Sequence, residues 1–128
     1  MPRSRSPLTV SPEEFDAWIQ EALAELPARF ARLAEEVSIV VEEEPSAETL
    51  QSLELESEDD LLGLYQGTPI DQTSFFQPAG ELPARIAIYR GPILRLCRTK
   101  AEVIQEVRDT VVHELGHHVG LNDEEMPY

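Results

Sequence analysis

Apolar positions recur at helical spacing through the first third of the chain, where Phe15, Trp18, Ile19, Ala22, Leu23 and Leu26 mark one face. Ser11 precedes them as an N-cap, Pro12 suits the first helical position, and Glu14 completes a capping box. Pro27 interrupts the pattern and suits the start of a second short helix carrying Phe30 and Leu33. The aromatic side chains of both helices read as core anchors. The pattern then changes to "VSIVVEEEP", which is β-branched and ends at Pro45, so a strand is predicted over 37–41.

Residues 46–60 are acidic and weakly periodic, and are read as a mobile loop with about one helical turn. "LLGLYQGTPI" predicts a strand running into a turn at Gly67 to Pro69. "ARIAIYRGPI" predicts another, alternating Ile86 and Ile88 with their neighbours before it breaks at Gly91-Pro92. The intervening "DQTSFFQPAGELP" is loop, with Phe75-Phe76 read as a plug on the core and, as the alternative, as the lip of a site. Thr99 and Glu102 form a second capping box that starts a long helix through "TKAEVIQEVRDTVVHELGHHVG". These elements predict an α+β domain: a small mixed sheet of three to four strands packed against N-terminal helices and a C-terminal helix.

A chain of 128 residues builds one core, so a single domain over 1–128 is expected, with residues 1–10 flexible. Its 25 acidic and 10 basic side chains give a net charge of −15, which disfavours nucleic acid and anionic lipid as partners. No stretch approaches the length of a membrane span and no apolar run follows Arg3 and Arg5, so a cytoplasmic location is expected. Basic residues are absent between Arg32 and Arg85, while six of the ten lie from Arg85 to Arg108. The acidic run is therefore read as a solvated face lying near the basic one, with attraction of a basic partner as the alternative. The single Cys97 has no disulfide partner and reads as a small buried hydrophobe.

Chemistry concentrates at the end of the long helix, which holds all three histidines. His113 and His117 are four residues apart, so their imidazoles stand one above the other on one face and can share one zinc ion per chain. Glu114 lies about 100° round the helix from His113, beside such a metal, where a general base belongs. Zinc at an open site brings the pKa of its water to about 7, and a neighbouring carboxylate can take the proton and pass it to a leaving amine. On a helical wheel Glu102, Glu106, Asp109, Thr110, His113 and His117 form a polar stripe opposite Ile104, Val107, Val111, Leu115 and Val119. His118 falls on the apolar side and reads as a packed histidine with local hydrogen bonds.

A catalytic zinc site needs a third protein ligand. Gly120 permits a left-handed turn at the helix end, and Asp123 three residues later leads the candidates. Glu124, Glu125, the terminal carboxylate and an upstream acid are the alternatives.

The pattern H-E-x-x-H-x-x-G-x-x-D, here His113, Glu114, His117, Gly120 and Asp123, resembles the zincin metallopeptidases whose third ligand is aspartate. With "VSIVVEEEP", "LLGLYQGTPI" and "LPARIAIYRGPI" preceding it in that order, the chain is most similar to the small bacterial minimal zincins. That resemblance implies a short mixed sheet closed by the motif helix, His113, His117 and Asp123 as zinc ligands, and Glu114 as base in peptide-bond hydrolysis. Larger zincins continue into a segment walling the lower side of the cleft, and metzincins add a methionine turn; Met126 stands too near Asp123 to form one. The expected site is therefore open, or completed by a second copy or a partner protein, and suits weak or narrow peptidase activity.

The expected partner is a peptide or protein substrate held extended by edge-strand pairing, with "RIAIY" as the candidate strand. Tyr89 is a candidate oxyanion donor, though such a tyrosine is more often simply packed. The competing reading is a non-catalytic module that binds zinc or a protein through its acidic surface.

Overall fold

The computed structural model describes residues 8–67 and 84–120. Helix α1 (Pro12–Ala24) begins with the expected capping box: the Ser11 hydroxyl accepts the Glu14 N–H at 3.1 Å and the Glu14 carboxylate accepts the Ser11 N–H at 3.1 Å. Helix α2 (Ala28–Ala34) follows Pro27 and buries Phe30. Strand β1 (Ser38–Glu42) lies within a residue of its predicted position. The core also reaches further toward the N-terminus than expected, since Val10 is buried and Leu8 packs against it.

The acidic stretch after β1 is more ordered than its composition suggests. It contains α3 (Ala47–Ser52), capped by the Ser46 hydroxyl on the Thr49 N–H at 3.0 Å, and a 3₁₀ turn over Glu58–Asp60. The basic segment ties down both ends of the stretch. Arg95 bonds Glu44 at 2.8 Å and Asp59 at 2.6 Å, while Arg90 reaches Glu43 at 2.8 Å. These three acids are thus matched from within the chain, and the hydrogen bond to Arg95 lowers the pKa of the Glu44 carboxyl.

Strand β2 (Gly63–Gln66) and strand β3 (Arg85–Tyr89) complete a three-stranded sheet of order β1-β3-β2, with β1 parallel and β2 antiparallel to β3. This corrects one expectation. "RIAIY" is the central strand, paired on both sides, so it offers no free edge to a substrate. Ile86, Ala87, Ile88 and Tyr89 are all buried, as both faces of a central strand require. The strand ends before Gly91-Pro92 as expected, but the chain there enters an unanticipated helix, α4 (Arg90–Leu96), with no linker. Proline in a first helical turn sacrifices no internal hydrogen bond, which is why Pro92 was no obstacle.

Helix α5 (Lys100–His118) is the hub, packing on α1, α2, α4 and two strands. The Thr99 hydroxyl caps it by accepting the Glu102 N–H at 3.1 Å, but the Glu102 carboxylate returns to the Arg98 N–H and not to that of Thr99. Val103, Val107, Val111, Val112 and Leu115 are fully buried against Ile86, Ile88 and Phe15. At about 1.5–3 kcal/mol for each large apolar side chain buried, this face holds α5 on the sheet.

Close approach of α5 to β2 depends on Gly63. A β-carbon there would lie 2.5 Å from Thr110 Cγ2 and 3.0 Å from the Ala87 carbonyl oxygen. Gly63→Ala is expected to destabilise the protein by about 1–3 kcal/mol, as overpacking does. Adding Thr110→Ser, which removes that methyl, should restore part of it in urea denaturation. An unchanged midpoint for the single variant would show that the strand moves away freely.

Candidate metal centre and cleft

The polar stripe of α5 emerges beside β2. His113 and His117 lie as the four-residue spacing requires, their ring centroids 4.8 Å apart and edge to face. Ligand atoms of His113, Glu114 and His117 all lie within 4.8 Å of one another. Zinc bonds to nitrogen of about 2.0–2.1 Å place neighbouring ligand atoms about 3–4 Å apart, a separation small side-chain rotations would supply. The His117 side chain is 41% exposed, so one side of this group is open. The residues present therefore fit a metal ion, with His113 and His117 as holders.

Glu114 differs from its neighbours: its side chain is only 11% exposed. Its Oε1 accepts the Tyr65 N–H at 2.8 Å and stands 3.3 Å from His117 Nδ1. An amide donating to a carboxylate is charge-assisted, so the contact fixes the side chain firmly. Both of these contacts use Oε1.

Strand register explains why that amide is available. The Tyr89 N–H donates to the Leu62 carbonyl at 2.9 Å, so Leu62, Leu64 and Gln66 direct their backbone groups to β3. Gly63 and Tyr65 then direct theirs away from β3, to the side of β2 that pairs with no strand among the described residues. Tyr65 spends its outward N–H on Glu114.

A cleft of about 350 Å³ runs along this edge, between Asp60, Leu62 and Gly63 on one wall and Glu106, Asp109, Thr110, His113 and Glu114 on the other. Burial, and then the charge of Asp109, raises the Glu106 carboxyl above its usual range. A larger hollow of about 700 Å³ lies between α1 and β1, but its lining of Glu13, Asp16, Ile19, Ile39 and Val41 assembles no comparable chemistry.

His118 is packed, as expected, and 4% exposed, but its partners are distant in sequence and not local. The Tyr65 hydroxyl lies 3.1 Å from Nδ1 and a Glu36 carboxylate oxygen 3.0 Å from Nε2. With both ring nitrogens engaged, it stands apart from the metal-holding pair. Tyr65 and Glu36 escaped the sequence reading because no local spacing links them to the motif. Tyr89 is 1% exposed, and burial raises the pKa of its hydroxyl, so it is a packed tyrosine and not an oxyanion donor. Cys97 is buried, its thiol pushed up to about 11 mainly by that burial, which matches its reading as core.

Gly120 ends the helix with φ 82°, the left-handed conformation anticipated for it, and its N–H donates to the His117 carbonyl at 3.0 Å. Asp123, Glu124, Glu125 and the terminal carboxylate lie outside the described residues, as do the Phe75-Phe76 pair and Pro69. Among the described residues, no helix is long and apolar enough to cross a membrane.

A family model described as a zincin-like metallopeptidase matches residues 34–128, from the end of α2 through the motif to the last residue. No curated protein matches the chain.

Proposed function

This chain belongs to that zincin-like metallopeptidase family, and we propose that it is a zinc-dependent peptidase, with His113, His117 and Asp123 holding the metal and Glu114 as general base. The observation that carries the reading is the placement of Glu114. A buried carboxylate beside two histidines one helical turn apart, tied to the backbone of β2 and facing a cleft, suits proton transfer and not merely the filling of a coordination shell.

Zinc, when bound, supplies a Lewis acid that acidifies water and polarises a carbonyl. Glu114 does the rest of the proton work. Held through Oε1, it accepts a proton from the attacking water at Oε2 and returns it to the departing amine.

The substrate lies extended along β2. Gly63 directs its N–H and carbonyl away from β3, beside His113 and Glu114, on the side of β2 that pairs with no strand among the described residues, so a peptide added there passes the base. This supports the edge-pairing expectation with β2 in place of β3. The rival reading, a binding module acting through an acidic surface, is weakened because Glu42, Glu43, Glu44 and Asp59 pair within the chain. The test is zinc analysis of the purified protein together with cleavage of a peptide library. Stoichiometric zinc with cleavage supports the reading, and bound zinc with no cleavage favours the module.

Asp123 as third ligand makes its own prediction. Asp123→Ala is expected to weaken zinc binding by about 10-fold or more, measured by chelator competition. If Glu124→Ala or Glu125→Ala does so and Asp123→Ala does not, the assignment is wrong.

A further inference from the structure

The geometry points to Tyr65 as a positioning residue for Glu114, clamped to α5 at two points one helical turn apart; this rests on Glu114 as the base. One point is backbone: the Tyr65 N–H on Glu114 Oε1, 2.8 Å. The other is side chain: the Tyr65 hydroxyl on His118 Nδ1, 3.1 Å. Glu114 and His118 are four residues apart on the same helix, so they stand on one face, separated by about one 5.4 Å turn. A tyrosine's reach from backbone nitrogen to hydroxyl is comparable. A single residue of β2 therefore fixes both the distance and the rotation of the edge strand relative to the helix that carries the base.

With a neutral His118 ring, the partners give the hydrogen bonds one direction. Glu36 is a carboxylate and only accepts, so Nε2 of His118 carries the hydrogen that meets it at 3.0 Å. In the neutral ring Nδ1 then has a lone pair, and the Tyr65 hydroxyl donates to it. Glu36 thus selects the tautomer that receives Tyr65. The His118 side chain is 6% exposed, so water competes poorly for its bonds. The bridge begins just before β1, crosses the end of α5, and ends on the amide that holds the base.

That amide is a specific reporter. The residue 65 N–H bonds a side chain outside the ladder, whereas Leu64 and Ala87 bond each other within it. In the zinc-loaded full chain, Tyr65→Phe keeps the ring and the strand and removes only the hydroxyl. The residue 65 amide is expected to exchange about 10-fold faster, the scale of one lost hydrogen bond, with Leu64 and Ala87 unchanged. Against a cleaved peptide, kcat should fall by a similar factor while KM stays within about twofold, because ground-state binding is untouched. Glu36→Ala, at a half-exposed site that tolerates truncation, repeats the test from the far end of the bridge, with the same direction expected.

An unchanged residue 65 amide overturns the proposal. So does equal acceleration at Leu64 and Ala87, which would mean general loosening of the sheet, and so does a freed amide with unaltered kcat. If the wild type cleaves no peptide, the peptidase reading fails by itself, and the amide pattern alone decides the clamp.

Discussion

Glu114→Gln is expected to lower turnover by about 10² to 10⁴-fold while bound zinc stays in place, the range typical for loss of a general base. The substitution is close to isosteric. A glutamine Oε1 can still accept the Tyr65 N–H, so the edge strand and α5 should keep their relation. What disappears is the carboxylate oxygen able to take a proton. Zinc content and far-UV circular dichroism should match the wild type, and a cleavage assay on the zinc-loaded proteins should separate them. Equal cleavage would assign the activity to another residue or another protein. Loss of zinc together with activity would make Glu114 a ligand, an outcome its place within the His113 and His117 group makes worth measuring.

The second large effect is on metal binding itself. His113→Ala is expected to abolish stoichiometric zinc, with affinity falling beyond the about 10- to 100-fold that loss of a ligand's hydrogen-bond partner costs. The fold should survive. His113 lies on the half-exposed stripe of α5, opposite the valines and Leu115 that bind the helix to the sheet. A bound metal stabilises the folded state by mass action, so added zinc should raise the melting temperature of the wild type and leave that of the variant unmoved. Unchanged zinc content in the variant would remove His113 from the site. His118→Ala makes an informative contrast, because it should destabilise the core more than it depletes zinc, given that its ring nitrogens already bond Tyr65 and Glu36.

The two variants also divide the site by physical role. On the proposed reading, His113 acts through a lone pair on the half-exposed stripe, so its removal is expected to affect metal binding. Glu114, largely enclosed between helix and strand, is expected to act on the proton, so its replacement should affect turnover. A module that merely binds zinc would show the first effect and have no turnover to show the second.

Several features of this arrangement were legible from residue spacing. The Ser11 to Glu14 box, the cap at Thr99, and the face shared by His113 and His117 all depend on contacts within four residues, where helix geometry alone dictates who meets whom. The left-handed Gly120 belongs with them, because only local sterics decide it. Helix α4 was missed on a local rule applied too strongly: Gly91-Pro92 reads as a break, yet proline is compatible with a first turn. The 46–60 stretch reads as loop because its apolar positions are only weakly periodic; the contact of Asp59 with Arg95 joins residues far apart along the chain, which no local pattern records.

Residue spacing, then, identified the candidate site residues His113, Glu114 and His117 and the helix that presents them, since a 3.6-residue period converts spacing directly into a shared face. Only the tertiary structure decided which strand is the edge, because "RIAIY" and "GLYQ" are both apolar enough to pair and their order in the sheet depends on crossovers no local pattern records. The same limit applies to Glu114. Spacing sets it beside His113 and His117, but its hold on the Tyr65 amide, 49 residues away, exists only because the antiparallel register turns that N–H outward and α5 packs close enough, over Gly63, to receive it.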